Sequence, residues 1–181
     1  MSDHIDIAGN RTSRKWTTGE LLGRALWEAV RIPLFAWSPR QLWGWRCAVL
    51  RAFGGRVGSH VRIHPTARVE IPWHLVIEDY VAIGDRAIIY NLGLITIARN
   101  ATVSQNAHLC AGSHDFRDPT MKLLKLPIVI GVGAWVCADA FVGPGVHVHD
   151  GAVVGARGVV MRDVAARTVV AGNPATVVGT R

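Results

Sequence analysis

Cysteine is scarce in this chain of 181 residues. There are three, Cys47, Cys110 and Cys137, an odd number with no pair at metal-type spacing. A disulfide framework and a cysteine metal centre are set aside, and the three read as reduced packing thiols of a cytosolic protein. No apolar run reaches the roughly 20 residues a membrane span needs. The first sixteen residues are polar and charged, unlike a secretory leader. Acidic residues are few as well, 13 against 20 Lys and Arg, for a formal charge of +7. That excess favours anionic partners: nucleic acid, anionic lipid or a phosphate-rich small molecule. No basic block is interleaved with exposed aromatics across residues 57–181, so nucleic acid ranks low.

What is present is a period. Ile130, Val136, Val142, Val148, Val154 and Val160 stand six apart. Four residues after each comes a small or β-branched residue: Ala134, Ala140, Val146, Ala152, Gly158 and Val164. Neither the helical period nor strand alternation produces this, and an internal repeat outranks local propensity. Upstream, Val57, Ile63, Val69 and Leu75 keep the same step. Two extra residues shift the frame to Ile77, Ile83, Ile89 and Ile95. Two more shift it to Ile97, Val103 and Leu109. Residues 114–127 then break the pattern. A six-residue unit fits a short strand and a tight turn, so three units close a triangular coil. Aliphatic side chains fill the prism and Gly, Asn or Asp take the corners. About 110 repeat residues give roughly six stacked coils, an all-β repeat whose flat sides suit a closed trimer.

Residues 1–56 precede the repeats, which fill 57–181. Residues 1 to about 16 read as a flexible arm. Thr17 or Thr18 caps a first helix that carries Leu21, Leu22, Ala25, Leu26, Ala29 and Val30 and that Pro33 ends. Ser38 caps a second, with Pro39 at its first position, running to Gly54-Gly55. Trp27, Trp37, Trp43 and Trp45 crowd this region beside several arginines. They pack against the repeat domain and a neighbouring subunit in one reading, which is preferred. In the other they anchor the chain at the inner face of an anionic membrane.

The hexapeptide pattern resembles the left-handed parallel β-helix acyltransferases. The runs Leu-Cys-Ala-Gly-Ser-His-Asp-Phe at 109–116, Pro-Ile-Val-Ile-Gly at 127–131, Ala-Trp-Val-Cys-Ala-Asp-Ala-Phe-Val-Gly-Pro-Gly-Val at 134–146 and Val-Val-Ala-Gly-Asn-Pro-Ala at 169–175 are similar to acetyltransferases of exopolysaccharide biosynthesis of the colanic-acid type. Nodulation-factor, galactoside and maltose acetyltransferases are relatives of that branch. The left hand comes from the resemblance and departs from the usual right-handed crossover. The resemblance implies a cytoplasmic homotrimer that moves an acetyl group from acetyl-CoA to a saccharide hydroxyl, with no metal. It also implies the roles of particular residues.

Acetyl transfer to a hydroxyl needs a base, two substrates held together and donors for the oxyanion. His114 matches the family's catalytic histidine. It stands where a loop interrupts the scaffold, and an imidazole titrates near neutrality. Asp115 is either a contact to a sugar hydroxyl, an orienter of the imidazole, or a solvated carboxylate. Asn91 matches an acceptor-contacting position and also suits a turn. For coenzyme A the resemblance implies a groove between prisms along the C-terminal coils, with Trp135, Ala138, Ala156 and Arg162. Relatives carry Lys or Arg where Thr176 stands here, and Arg181 is the candidate replacement. Asp79 and Asp85 read as corner residues. Acetylation of a small xenobiotic or an amino sugar is an alternative. So is a zinc hydratase of the gamma carbonic anhydrase kind using His108, His114 and His147 or His149, ranked lower.

Overall fold

The computed structural model describes residues 5–181. From Arg56 onward the chain winds as a three-sided prism of about six coils. Face 1 stacks the parallel strands Arg56–Val57, Leu75–Ile77, Ile95–Ile97, Ile128–Ile130 and His147–Val148. Face 2 stacks Arg62–Ile63, Ala82–Ile83, Thr102–Val103, Trp135–Val136, Val153–Val154 and Thr168–Gly172, and the antiparallel strand Ala175–Thr180 closes it. Face 3 stacks Arg68–Val69, Ile88–Tyr90, His108–Cys110, Phe141–Val142 and Val159–Val160. The all-β repeat expected from the six-residue period is what forms.

Register explains the ladders. Ile97, Ile130 and Val148 pair successively on face 1, Val103, Val136 and Val154 on face 2, and Leu109, Val142 and Val160 on face 3. All nine side chains are buried. The small residues four positions later, Ala134, Ala140, Val146 and Ala152, are buried beside them. Each coil stacks like on like, so one continuous apolar column replaces the water that any single coil would leave inside.

Both two-residue frame shifts fall on one edge of the prism, between faces 3 and 1. The first widens the corner at 70–74, where Pro72–His74 form a 3-10 turn. The second widens 91–94. The long break, 111–127, leaves from the same edge one coil later. The extra residues are thus insertions at a shared corner and leave the faces in phase.

The first helix, α1 (Ile7–Thr12), corrects the expectation of a flexible arm; residues 1–4 of that arm lie outside the described residues. Asp6 caps it by accepting from the Gly9 N–H. The segment lies on the 111–127 loop: the Asp6 N–H donates to the Pro119 carbonyl at 2.8 Å, and Lys125 Nζ to the Lys15 carbonyl at 2.9 Å. Trp16 sits between the Arg24 guanidinium and the Lys125 ammonium. Apart from Arg24, these partners are about 110 positions away in sequence, beyond any local pattern.

The second helix, α2 (Thr18–Val30), begins as expected, with Thr17 and Glu20 forming a reciprocal capping box. It does not stop at Pro33. The helix widens into a π turn, Arg31–Ala36, that accommodates the proline. The third, α3 (Trp43–Ala52), starts four positions later than Ser38-Pro39 suggested. The cause is Arg46, fully buried. Its guanidinium donates to the carbonyls of Ile63, Pro39 and Arg40 and to Ser38 Oγ, which holds 38–40 out of a helix and spends the Ser38 hydroxyl. Gly54, at φ +84°, ends this segment where no side chain is tolerated cheaply.

The tryptophans divide. Trp27 is fully buried between Phe35 and Phe53, and its Nε1 donates to the Val69 carbonyl at 2.8 Å, fixing α2 to the first coil. Trp37 is 82% exposed and Trp45 is about half exposed. Packing on the repeat domain accounts for the first and leaves the other two at the surface, with Leu21, Leu22, Leu26 and Ile32.

Candidate active site

The break at 111–127 folds into a small hairpin. Ser113–His114 pairs antiparallel with Leu123–Leu124, and the Asp115 N–H closes on the Lys122 carbonyl at 2.9 Å. Its turn is built by Asp118, whose Oδ1 accepts from the Thr120 N–H and hydroxyl. Those bonds hold the carboxyl below its usual range, the hydroxyl bond first. Its base lies against the prism at Gly93, where a Cβ would stand 2.8 Å from the Leu126 carbonyl oxygen. Only glycine allows the two backbones so close.

His114 is exposed on this hairpin, and its Nδ1 lies 2.6 Å from the Met121 carbonyl. A carbonyl can only accept, so Nδ1 carries the hydrogen and Nε2 keeps its lone pair. Met121 occupies the left-handed region, φ +46°, although it is not glycine. The imidazole is therefore tautomerically set for Nε2 to take a proton, the arrangement a general base requires. The Met121 carbonyl was not visible in the sequence, because backbone acceptors leave no residue signature.

The other candidates are not gathered around His114 in one chain. The Asp115 carboxylate accepts from the Arg117 N–H at 3.0 Å, a local turn bond. Asn91 stands on the same edge one coil earlier, as expected, but is fully buried. Its Oδ1 accepts from the Ile71 N–H at 2.9 Å and its Nδ2 donates to the Ile71 carbonyl, so the turn reading accounts for the amide.

Trp135 opens the fourth strand of face 2, 45% exposed, with Nε1 donating to Ser104 Oγ at 2.8 Å. Ala138 and Ala156 stack at the corner between faces 2 and 3, where the Arg157 N–H donates to the Ala138 carbonyl. Arg162 lies at the edge between faces 3 and 1. It is exposed, joins no ion pair among the described residues, and lines a cavity of about 560 Å³ with Met161, Asp163, Pro174 and Thr176. Arg181 points elsewhere: its Nη1 donates to the Gly133 carbonyl at 2.9 Å, at the edge between faces 1 and 2. Within one chain it does not line the cavity that Arg162 and Thr176 share.

The remaining histidines are scattered. His108 projects from face 3 between Tyr90 and Phe141, and burial lowers its pKa. His147 and His149 stack at 3.7 Å. Among the described residues no three His, Cys, Asp or Glu side chains are grouped to hold a metal ion. Asp79 and Asp150 are corner residues that accept from the backbone N–H of Ser59 and Val132 on neighbouring coils. Asp85 accepts from the Thr66 hydroxyl.

No family model matches the chain. Individual relatives do. A protein of Escherichia coli K12 named as a colanic acid biosynthesis acetyltransferase, WcaF, is 41% identical over 176 residues, covering 97% of both chains. The galactoside O-acetyltransferase of the same organism is 32% identical over 104 residues, 57% of this chain and 46% of its own. Among solved structures, a hexapeptide-repeat acetyltransferase of Vibrio cholerae superposes with a TM-score of 0.82 at 21% identity, covering 91% of this chain and 93% of that one. A galactoside acetyltransferase in complex with coenzyme A superposes with a TM-score of 0.77 at 20% identity, covering 96% and 88%. The two structures share the fold of this chain.

Proposed function

The chain belongs to the hexapeptide-repeat acetyltransferase family that includes WcaF, and from that premise we propose that it transfers acetyl from acetyl-CoA to a saccharide hydroxyl. The observation that carries the reading is the imidazole of His114, with Nδ1 committed to the Met121 carbonyl and Nε2 free. His114 Nε2 takes the hydroxyl proton as the alcohol oxygen attacks the thioester carbon. The C–S bond then breaks and coenzyme A leaves as the thiol, so neither a metal nor a covalent enzyme intermediate is required. Arg162 holds donor phosphate, since an exposed guanidinium grips phosphate bidentately. Trp135, Ala138 and Ala156 line the donor arm from a neighbouring prism, because one chain keeps them on faces away from His114. A homotrimer supplies that neighbour.

The acceptor is a sugar of cell-surface polysaccharide assembly, and the enzyme works in the cytoplasm at the inner membrane face. No helix among the described residues is long and apolar enough to cross a membrane. Exposed Trp37, Trp45, Leu21 and Leu22 suit peripheral contact, and the charge is concentrated there. Residues 1–56 carry 9 basic and 4 acidic side chains, +5 of the total +7. The test is thiol release from acetyl-CoA against a panel of free, nucleotide-linked and lipid-linked saccharides, with amino sugars and xenobiotic alcohols as controls. A hydroxylamine-labile ester formed on a saccharide supports the proposal. Turnover confined to amines or xenobiotics overturns it.

A further inference from the structure

The arm that the repeat pattern left unassigned reaches the proposed base. Asn10, on α1, donates its amide to two carbonyls of the hairpin turn: Thr120 at 2.5 Å and Met121 at 3.1 Å. The second is the carbonyl that accepts from His114 Nδ1 at 2.6 Å. The other end of the amide is fixed too, because Lys15 Nζ donates to Asn10 Oδ1 at 2.7 Å. Both hairpin partners are acceptors, so the NH2 end must face them and the oxygen must face the ammonium. The Asp6–Pro119 and Lys15–Lys125 contacts hold the arm on either side of this amide.

We propose that Asn10 is a positioning residue for His114, acting through the Met121 peptide. A carbonyl oxygen has two lone pairs, and here one takes the imidazole hydrogen and the other the Asn10 amide. Met121 holds a left-handed backbone conformation that an unbranched non-glycine residue leaves readily when nothing restrains it. Rotation of the 121–122 peptide would swing the carbonyl off Nδ1. The imidazole would then be free to turn and to exchange tautomers, and Nε2 would no longer be the fixed acceptor. Asn10 restrains that peptide from a helix over a hundred positions upstream. The Asp118 carbonyl accepts from the Met121 N–H at 2.8 Å, but that bond holds the preceding peptide, 120–121, and not the 121–122 carbonyl.

This rests on the reading of His114 as the base, and the test separates the two. Asn10→Asp keeps the side-chain shape and the Lys15 contact but removes the donor, whereas Asn10→Ala removes the side chain. In both variants kcat falls about tenfold or more, as misorientation of a catalytic group does. KM for acetyl-CoA stays within about twofold, because ground-state binding of the donor is untouched. Nitrogen NMR of histidine-labelled protein, with His114→Ala supplying the assignment, reports one neutral tautomer with hydrogen on Nδ1 in the wild type and a mixture in both variants. An Asn10→Asp protein with wild-type kcat and a single tautomer overturns the inference. A His114→Ala protein with full turnover overturns the base reading instead, and the NMR signal then still decides whether Asn10 orients the ring.

Discussion

Two edges of the prism repeat one turn from coil to coil, apart from the first corner of one of them at 64–67, and the third does not. Between faces 1 and 2, successive corners place His60, Tyr80, Asn100, Gly133, Gly151 and Arg167 in the left-handed region. Between faces 2 and 3, Arg86, Asn106, Asp139 and Arg157 do the same. Most are not glycine. The cost of a left-handed side chain is offset where the backbone N–H bonds to the neighbouring coil: Tyr80 to Ser59, Asn100 to Asp79, Asn106 to Asp85. Along the third edge the corners differ from one another. One holds a 3-10 turn, one the buried amide of Asn91, and one the hairpin with His114. The repeated edges keep coils in phase, which frees the remaining edge to vary without disturbing any ladder. A functional loop can therefore be inserted there at little cost to the scaffold.

The contrast can be broken from the scaffold side first. Ile97 is fully buried, paired with Ile77 and Ile130 on face 1. Ile97→Ala should lower stability by about 2–5 kcal/mol, read from denaturant unfolding, because stacked coils cannot collapse into the cavity. A loss below about 0.5 kcal/mol, the range of surface changes, would mean the ladders are not what holds the prism.

Gly93→Ala attacks the seat of the hairpin instead. The added methyl meets backbone of residues 125 and 126, so the base of the hairpin must shift away from the prism. We expect kcat to drop about tenfold with the melting temperature nearly unchanged. The reverse pattern would show that the hairpin belongs to the scaffold.

The smallest effect is a pH dependence on face 3. Burial depresses the His108 pKa in the folded state, so the unfolded chain binds that proton more readily. The stability this neutral histidine contributes is present above its unfolded value near about 6.5 and is lost as pH falls below it. His108→Phe should flatten the acid-side decline in melting temperature between about pH 7 and pH 5. An unaltered slope would assign the decline to other groups.

Legibility followed the same division. The ladders, the two frame shifts and the break were written in the spacing, since a side chain every six residues needs only the local turn to reach the core. That both shifts share an edge with the break follows only once coils are counted in space. The arm failed as a sequence reading because Asn10, Asp6 and Lys15 find partners some 110 positions away. Ser38 misled for a similar reason: the buried Arg46 claims its hydroxyl before a helix can. His114 stood out by its motif as the proposed base. The carbonyl that sets its tautomer was not, because any residue at 121 offers one.

The central claim is that chemistry resides on the irregular edge, at one imidazole nitrogen. It is tested most directly by thiol release from acetyl-CoA by His114→Ala at saturating saccharide acceptor. The account predicts a fall in kcat of about 10²–10⁴ with the fold and oligomeric state retained. A folded variant that turns over within about twofold of wild type would contradict it.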